Sequence, residues 1–236
     1  MPRILGRVIE LWRYPVKSLR GEQVGEARCG REGFEWDRHW AVQGADGKLA
    51  SGKSTQRFRR MPGLFSMASY VDAAGVGWVR FPSGPDLRTD DPAAARRIGE
   101  VVGEEVRLVE AAEVPHFDAE SLHLVTTSSI GWLAGRRPRQ NVDRRRFRPN
   151  ILVDTAGQER TEDGWIGREL QIGEVRLSIE RSTERCVMIT MEQSELESAS
   201  GLLHELHEHT GSRFGVYGRV AQAGAIRVGE DVVLKD

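Results

Sequence analysis

The stretch FGVYGRVAQAGAIRVGEDVVL, residues 214–234, carries the pattern that decides the fold. Three short runs rich in β-branched and aromatic residues, at 214–221, 225–228 and 231–234, are broken by Gly224 and Gly229. Runs of this length and composition, bounded by glycine, read as strands joined by tight turns. Working back from there, residues 169–172 and 174–179 pair around a turn at Gly173, and further strands are expected at 186–190, 151–153 and 122–125. The first part of the chain repeats the theme. Strands are expected at 4–12 (ILGRVIELW), 23–29, 38–43, 64–71, 77–81 and 105–109, with Ala45-Asp46-Gly47-Lys48 as a hairpin turn.

Helices are few. Asp91 as N-cap, Pro92 in the first turn and Gly103 as the stop predict a helix over 92–102. Thr126-Thr127-Ser128-Ser129 offers N-cap chemistry for a helix running to about Ala134. Residues 192–210 are expected to be mostly helical, with Leu196, Leu203 and Leu206 on one face and Gly211 as the stop. Many short strands, Gly-rich turns and few helices give a mainly β chain (α+β) built on barrels or sandwiches. Residues 110–121 are polar and poorly periodic, so a domain boundary is placed there, giving domains 1–112 and 113–236.

The composition excludes several classes. The chain has 236 residues, 39% hydrophobic and 29% charged, as in an ordinary soluble globular protein. It has no apolar run near the ~20 residues of a membrane helix and no signal-peptide pattern, so a cytoplasmic, membrane-free location is expected. A net charge of −1 argues against a nucleic-acid partner. Only four of the 34 basic residues are lysines. The arginine surplus suits bidentate contacts to phosphate and carboxylate, and codon bias in a GC-rich genome would produce it equally well. Two cysteines, Cys29 and Cys186, are too few for a disulfide framework, a cysteine-only zinc site or an iron–sulfur centre.

Four places could carry chemistry. Cys186 follows Arg185 and lies near Arg181; nearby positive charge favours a thiolate, the form that attacks or binds a soft metal, although a free cysteine is also commonly just buried. In Pro15-Val16-Lys17-Ser18-Leu19-Arg20 an ammonium, a hydroxyl and backbone N–H groups could hold a phosphate, without the pattern of a Walker loop. The hydroxyls of Thr126 to Ser129 could cradle an anion at a helix start or serve as plain caps. Arg146-Phe147-Arg148-Pro149-Asn150 puts a planar cation and an amide at the entry to an apolar strand, where they could read a heterocycle. His204 and His207 are three apart with no third metal ligand in evidence, and a solvated helix face accounts for them.

Together these segments resemble a known family. Tyr14-Pro15-Val16-Lys17-Ser18, Trp36-Asp37-Arg38-His39-Trp40 and residues 47–64 are similar to the MOSC N-terminal β-barrel domain. Arg146 to Asn150, Gly173-Glu174-Val175, Glu184-Arg185-Cys186 and residues 214–234 are similar to the MOSC domain, the module named for the C-terminus of molybdenum cofactor sulfurase and shared with the mitochondrial amidoxime-reducing component and its bacterial relatives. The resemblance implies two β-barrel-like domains with a molybdopterin cofactor between them, the pterin plain or extended by a nucleotide. It implies Cys186 as the metal ligand and catalytic residue, and Lys17 and Ser18 at the pterin phosphate. Arg38, Thr127, Ser128, Arg148, Asn150 and Arg185 are implied as further cofactor contacts.

The implied activity is reduction of N-hydroxylated or N-oxide compounds. Electrons would come from a separate ferredoxin-, flavin- or cytochrome b5-type protein, since no cysteines are left for an internal iron–sulfur domain. A non-catalytic cofactor carrier or sulfur-transfer module is the alternative. The sequence departs from the mitochondrial pattern after the cysteine, where Cys186-Val187-Met188-Ile189-Thr190 keeps one threonine of a Thr-Thr pair. That departure bears on contacts to the substrate.

Overall fold

The structure is a computed structural model that describes residues 3–112, 115–138, 142–193 and 195–235. Parts of the expected boundary (113–114), of the basic stretch before Arg148 (139–141) and of the expected last helix (Ser194) lie outside the described residues. In chain order the elements are β1 (Arg3–Arg13), β2 (Glu22–Val24), β3 (Glu26–Gly30), β4 (Gly33–Phe34), β5 (Trp40–Gly44), β6 (Leu49–Ser51), β7 (Phe58–Arg60), β8 (Ala68–Val71), β9 (Gly77–Arg80), β10 (Leu87–Arg88), α1 (Pro92–Val102) and β11 (Val106–Glu110). Then come β12 (Leu122–Thr126), α2 (Thr127–Arg136), β13 (Ile151–Asp154), β14 (Glu169–Ile172), β15 (Val175–Glu184), α3 (Leu202–Thr210), β16 (Arg213–Gln222), β17 (Gly224–Arg227) and β18 (Asp231–Lys235).

The mainly β expectation holds, and one closed barrel dominates. Its strands run in the order β13-β12-β16-β15-β14-β18-β1, and β1 pairs back onto β13 to close a ring of seven. Six of the strands come from the second half of the chain. The seventh, β1, comes from the first and pairs antiparallel to both neighbours, Val8 opposite Val153 and Ile4 opposite Val233. Among the described strands of the barrel, only β12 and β13 are parallel neighbours. A parallel pair cannot be joined by a tight turn, which is why α2 and a 3-10 turn at Arg144–Phe147 intervene.

Alternation fills the barrel. In β15 the side chains of Val175, Leu177 and Ile179 are buried at every second position, as a pleated strand requires. They meet Val8, Leu11, Leu124 and Val153 in one apolar cluster. The first half holds two sheets, β10-β9-β8 and β11-β5-β6-β7, over a separate core of Val16, Leu19, Leu64, Met67 and Ile98. A last small sheet, β17-β3-β4, spans both halves.

Several local expectations change, among them the strand expected at 186–190, which is a 3-10 turn over Val187–Thr190. Residues 23–29 do not form one strand: the chain switches sheet at Gly25, with β2 on β1 and β3 on β17. The helix expected over 192–210 begins only at Leu202, after Gly201 in the left-handed region (φ 76°). Upstream, the buried Arg146 guanidinium donates to the carbonyls of Ile189, Met191 and Glu197, so these backbone groups are satisfied without a helix. By contrast, α1 forms as its caps predict, with Asp91 accepting from the Ala93 amide and Gly103 left-handed at its end.

Candidate functional site

The parallel strands β12 and β13 start at the same end of the barrel, and a cleft opens there. His123 and Asn150 line it from the barrel side. The loop before β5, the segment before β12 and the turns around Arg148 and Cys186 build the other walls, through Arg38, Asp118, Arg148 and Arg185. An inner part holds Arg38, Arg148 and Asn150. An outer part of about 300 Å³ holds Lys53, Arg181 and Cys186. The two share Asp118, Arg185, Met188 and Tyr217, so they form one continuous space.

The inner wall is a tight charge network. Asp37 is fully buried; its carboxylate accepts from the Tyr14 amide at 2.8 Å, from the Arg38 guanidinium and from Asn150 Nδ2 at 3.1 Å. Asn150 Oδ1 accepts from Arg38 Nη1 at 3.1 Å and from the His123 amide at 3.2 Å. The Tyr14 ring carries both guanidinium groups, Arg148 at 4.1 Å and Arg38 at 4.6 Å from its centroid. Arg148 also donates to the Leu19 carbonyl at 2.8 Å. Burial pulls the Arg148 guanidinium down to about 10. Burial works the same way on Arg38, but the charge and hydrogen bond of Asp37, with Tyr14 and Asp118, together outweigh it and raise that group above its ordinary value.

Backbone strain collects here too. Five non-glycine residues among those described have positive φ, and Ser18 (70°), Trp36 (68°), Arg38 (52°) and Arg148 (52°) are four of them. Such conformations persist where the surroundings over-determine them, and they concentrate at ligand clamps.

Lys17 is 4% exposed, and its ammonium is paired with Asp118 at 2.5 Å. Burial lowers the Lys17 amine. Burial also works to raise the Asp118 carboxyl, but the Lys17 charge and hydrogen bond hold it below its ordinary value. Ser18 is buried and turns its hydroxyl to the Ala50 carbonyl at 3.1 Å, so it lies behind the cleft surface.

Cys186 stands at the start of a 3-10 turn, Val187–Thr190, and is partly exposed. Arg185 beside it donates to the Phe147 carbonyl at 2.8 Å, and burial lowers its guanidinium. Arg185 Nε and His123 Nε2 are buried nitrogens without a hydrogen-bond partner, both on side chains that line the cleft. Cys29, the other thiol, is buried in the barrel core and pushed up to about 12 by burial.

Seven of the residues singled out by sequence, Lys17, Ser18, Arg38, Arg148, Asn150, Arg185 and Cys186, thus gather in or directly behind one cleft. Thr127 and Ser128 do not. They sit at the far end of β12, about four residues or ~13 Å of strand from His123. There the helix start already faces a buried acid. Glu162 is 1% exposed and accepts from Thr126 Oγ1 at 2.5 Å and Ser129 Oγ at 2.6 Å, while Ser128 bonds Thr126, Thr155 and Thr161. Burial pushes the Glu162 carboxyl up, and the hydroxyls at α2's start are turned to it and to one another. Sequence reasoning passed over Tyr14, Asp37, Asp118, His123 and Tyr217 as site residues. Tyr14 and Asp37 lay within quoted motifs, and an acid directly preceding a motif arginine was the available signal for Asp37.

The structure is thus a closed β-barrel with a cleft walled by guanidinium groups, an ammonium and one partly exposed thiol. The sequence pattern of the MOSC domain matches residues 112–233 and that of the MOSC N-terminal beta barrel domain residues 5–117, and the chain belongs to the MOSC domain family. It is 25% identical to mitochondrial amidoxime reducing component 2 of Rattus norvegicus, with 97% of this chain and 83% of that protein covered. It is 26% identical to mitochondrial amidoxime-reducing component 1 of Danio rerio, with 97% and 84% covered. Similarity to molybdenum cofactor sulfurase of Oryza sativa subsp. japonica is 23% over 76% of this chain and 28% of that protein. The YUAD protein from Bacillus subtilis shares the fold, with a TM-score of 0.52 at 13% identity over 99% of this chain and 98% of that one. No described helix is long and apolar enough to cross a membrane.

Proposed function

We propose that the cleft binds a molybdenum–pterin cofactor and that the protein reduces N-hydroxylated or N-oxide compounds with electrons from a separate donor protein. The observation that carries this reading is the continuity of the cleft from the Arg38–Arg148–Asn150 wall to Cys186. The names of the relatives support it. The residues fit such a group: guanidinium and ammonium donors suit a phosphorylated pterin, and a thiolate suits molybdenum. The unpartnered nitrogens of His123 and Arg185 leave two buried polar atoms for a ligand to satisfy.

Among the described residues no three His, Cys, Asp or Glu side chains gather as a metal site. A cofactor that arrives with its own sulfur ligands needs only one from the protein, and Cys186 would give it. Arg38, Arg148 and Asn150 would hold the ring system, and Lys17 the phosphate, once Asp118 releases it. When bound, the cofactor supplies two-electron exchange and a centre that accepts oxygen. The chain's share is orientation and electrostatics. Tyr217, whose phenol burial keeps protonated, and Met188 wall the space between the inner cleft and Cys186.

The test is elemental analysis of wild type and Cys186→Ala, each purified from a host that makes the cofactor. Near-stoichiometric molybdenum in wild type, lost in the variant, is the expected result. Absence of molybdenum from a folded wild-type sample would refute the reading. Cofactor that loads but passes rapidly to an apo-enzyme, without turnover of a hydroxylamine, would mark the chain as a carrier.

A further inference from the structure

The outer part of the cleft, the space that Cys186 lines, takes one of its walls from the first half of the chain. Residues 52–57, between β6 and β7, pack on the 3-10 turn that follows the cysteine. A Cβ at Gly52 would lie 2.9 Å from Met188 Cγ, so a side chain there would have to displace Met188. This close approach seats Lys53 in the outer wall. Lys17, Arg57 and Lys53 stand 4.8, 5.1 and 5.7 Å from the centroid of one ring, Phe58. Among the described residues these three cations make one ion pair, Lys17 with Asp118.

The barrel side repeats the imbalance. Arg181 of β15 and Arg219 of β16 share one acid, Glu120, at 3.5 and 3.7 Å. Arg181 also lies over the Tyr217 ring, 5.2 Å from its centroid, and lines the outer space. Arg185 donates to a neutral partner, the Phe147 carbonyl. Of the two acids that line this space, Asp118 is taken up by Lys17, and Glu184 is exposed. Like charges held together without matching acids repel one another, and an anion among them relieves the repulsion. We propose that the outer cleft selects substrates that carry a negative charge, such as a carboxylate-bearing hydroxylamine, with Lys53 and Arg181 reading that charge. The inference rests on the reductase reading for what is reduced, and on the cations of the wall for the preference. The carboxylate takes no part in the balance of the reaction. The hydroxylamine gains two electrons from the donor protein and two protons, its N–O bond breaks, and the amine and water leave.

Alkylation of Cys186 in the cofactor-free full chain is the first test. Iodoacetate carries a charge and iodoacetamide does not. The ratio of their rates at Cys186, divided by the same ratio for 2-mercaptoethanol, cancels any change in thiolate fraction. At low salt this normalised ratio is expected to exceed ~5 in wild type. It is expected to fall about threefold in Lys53→Gln and in Arg181→Gln, with circular dichroism as the fold control. Arg96→Gln, a charge-matched change at an exposed position of α1, is expected to leave it unchanged. A wild-type ratio of ~1 or less, or one that both wall variants leave unchanged, would overturn the proposal. Turnover by the molybdenum-loaded chain, with a reduced viologen as electron source, separates the proposal from the reductase reading. A higher kcat/KM is expected for 4-(hydroxyamino)benzoate than for phenylhydroxylamine, with about threefold of that preference lost in Arg181→Gln. Equal values for the two compounds in an active wild type would overturn the proposal. Turnover of neither would refute the reductase reading, and the alkylation ratio then decides the anion subsite.

Discussion

Asn150 and Arg38, 112 residues apart, are joined by a hydrogen bond of 3.1 Å that ties the entry of a barrel strand to a loop of the first half. The same amide serves Asp37 and the backbone of Trp12 and His123. Removing it strands a buried carboxylate and a backbone amide. Asn150→Leu is therefore expected to lose about 2–4 kcal/mol of stability, read as a drop in melting temperature of roughly 5–15 °C. A change within ~1 °C would show that the network does not hold the two halves together.

The thiols should separate cleanly. Cys186 is partly exposed at the cleft, whereas Cys29 is buried and its thiol is pushed up to about 12. Iodoacetamide on the native chain at pH 8 is expected to modify Cys186 alone, located by peptide mass spectrometry. Modification of Cys29 at a comparable rate would contradict the barrel packing.

His123 predicts a pH dependence. Burial, with the Arg185 charge adding to it, holds this imidazole well below 6.5. The unfolded chain therefore takes up a proton near pH 6.5 that the folded chain refuses. Stability should fall as pH drops below about 6.5, by up to ~1.4 kcal/mol per pH unit, until the folded group itself titrates. Wild type and His123→Phe, compared by denaturant unfolding from pH 7 to pH 5, should differ in slope, with the variant flatter. Parallel curves would mean that His123 is not held neutral.

The far end of β12 offers a contrast. Ser128 belongs to the hydroxyl cluster beside Glu162, and Thr127 donates to Asp154 and the Thr155 carbonyl, both outside the cleft. Ser128→Ala is expected to lower the melting temperature while leaving molybdenum content at the wild-type level. Loss of molybdenum with an unchanged melting temperature would return these residues to the cofactor.

How far the sequence could be read differs from element to element. Helix α1 was legible because its signals are local: Asp91, Pro92 and Gly103 act within one turn of their own positions. The strands were legible as strands, but period-two alternation names no partner, so nothing marked β1 as the closing strand of a barrel made otherwise from the second half. Thr126 to Ser129 read first as a cap and second as an anion cradle, and what decides between them is Glu162, 36 residues from Thr126. Asp118 escaped notice because polar linkers are usually solvated, whereas here the linker crosses the cleft and pairs with Lys17. Leucine spacing in 192–210 suggested a helix across a segment whose carbonyls are claimed by Arg146.

The place of β1 has a consequence for how the molecule is assembled. Arg3 pairs opposite Leu234, so this strand is made well before the partner it closes onto. Contacts of such separation form late, because the long intervening loop must be closed first. Tyr14 and Lys17 follow β1 directly and are fixed against Arg148 and Asp118 only once that strand has docked. A chain whose barrel is still open has no finished cleft to offer, so ligand loading would report that the barrel has closed.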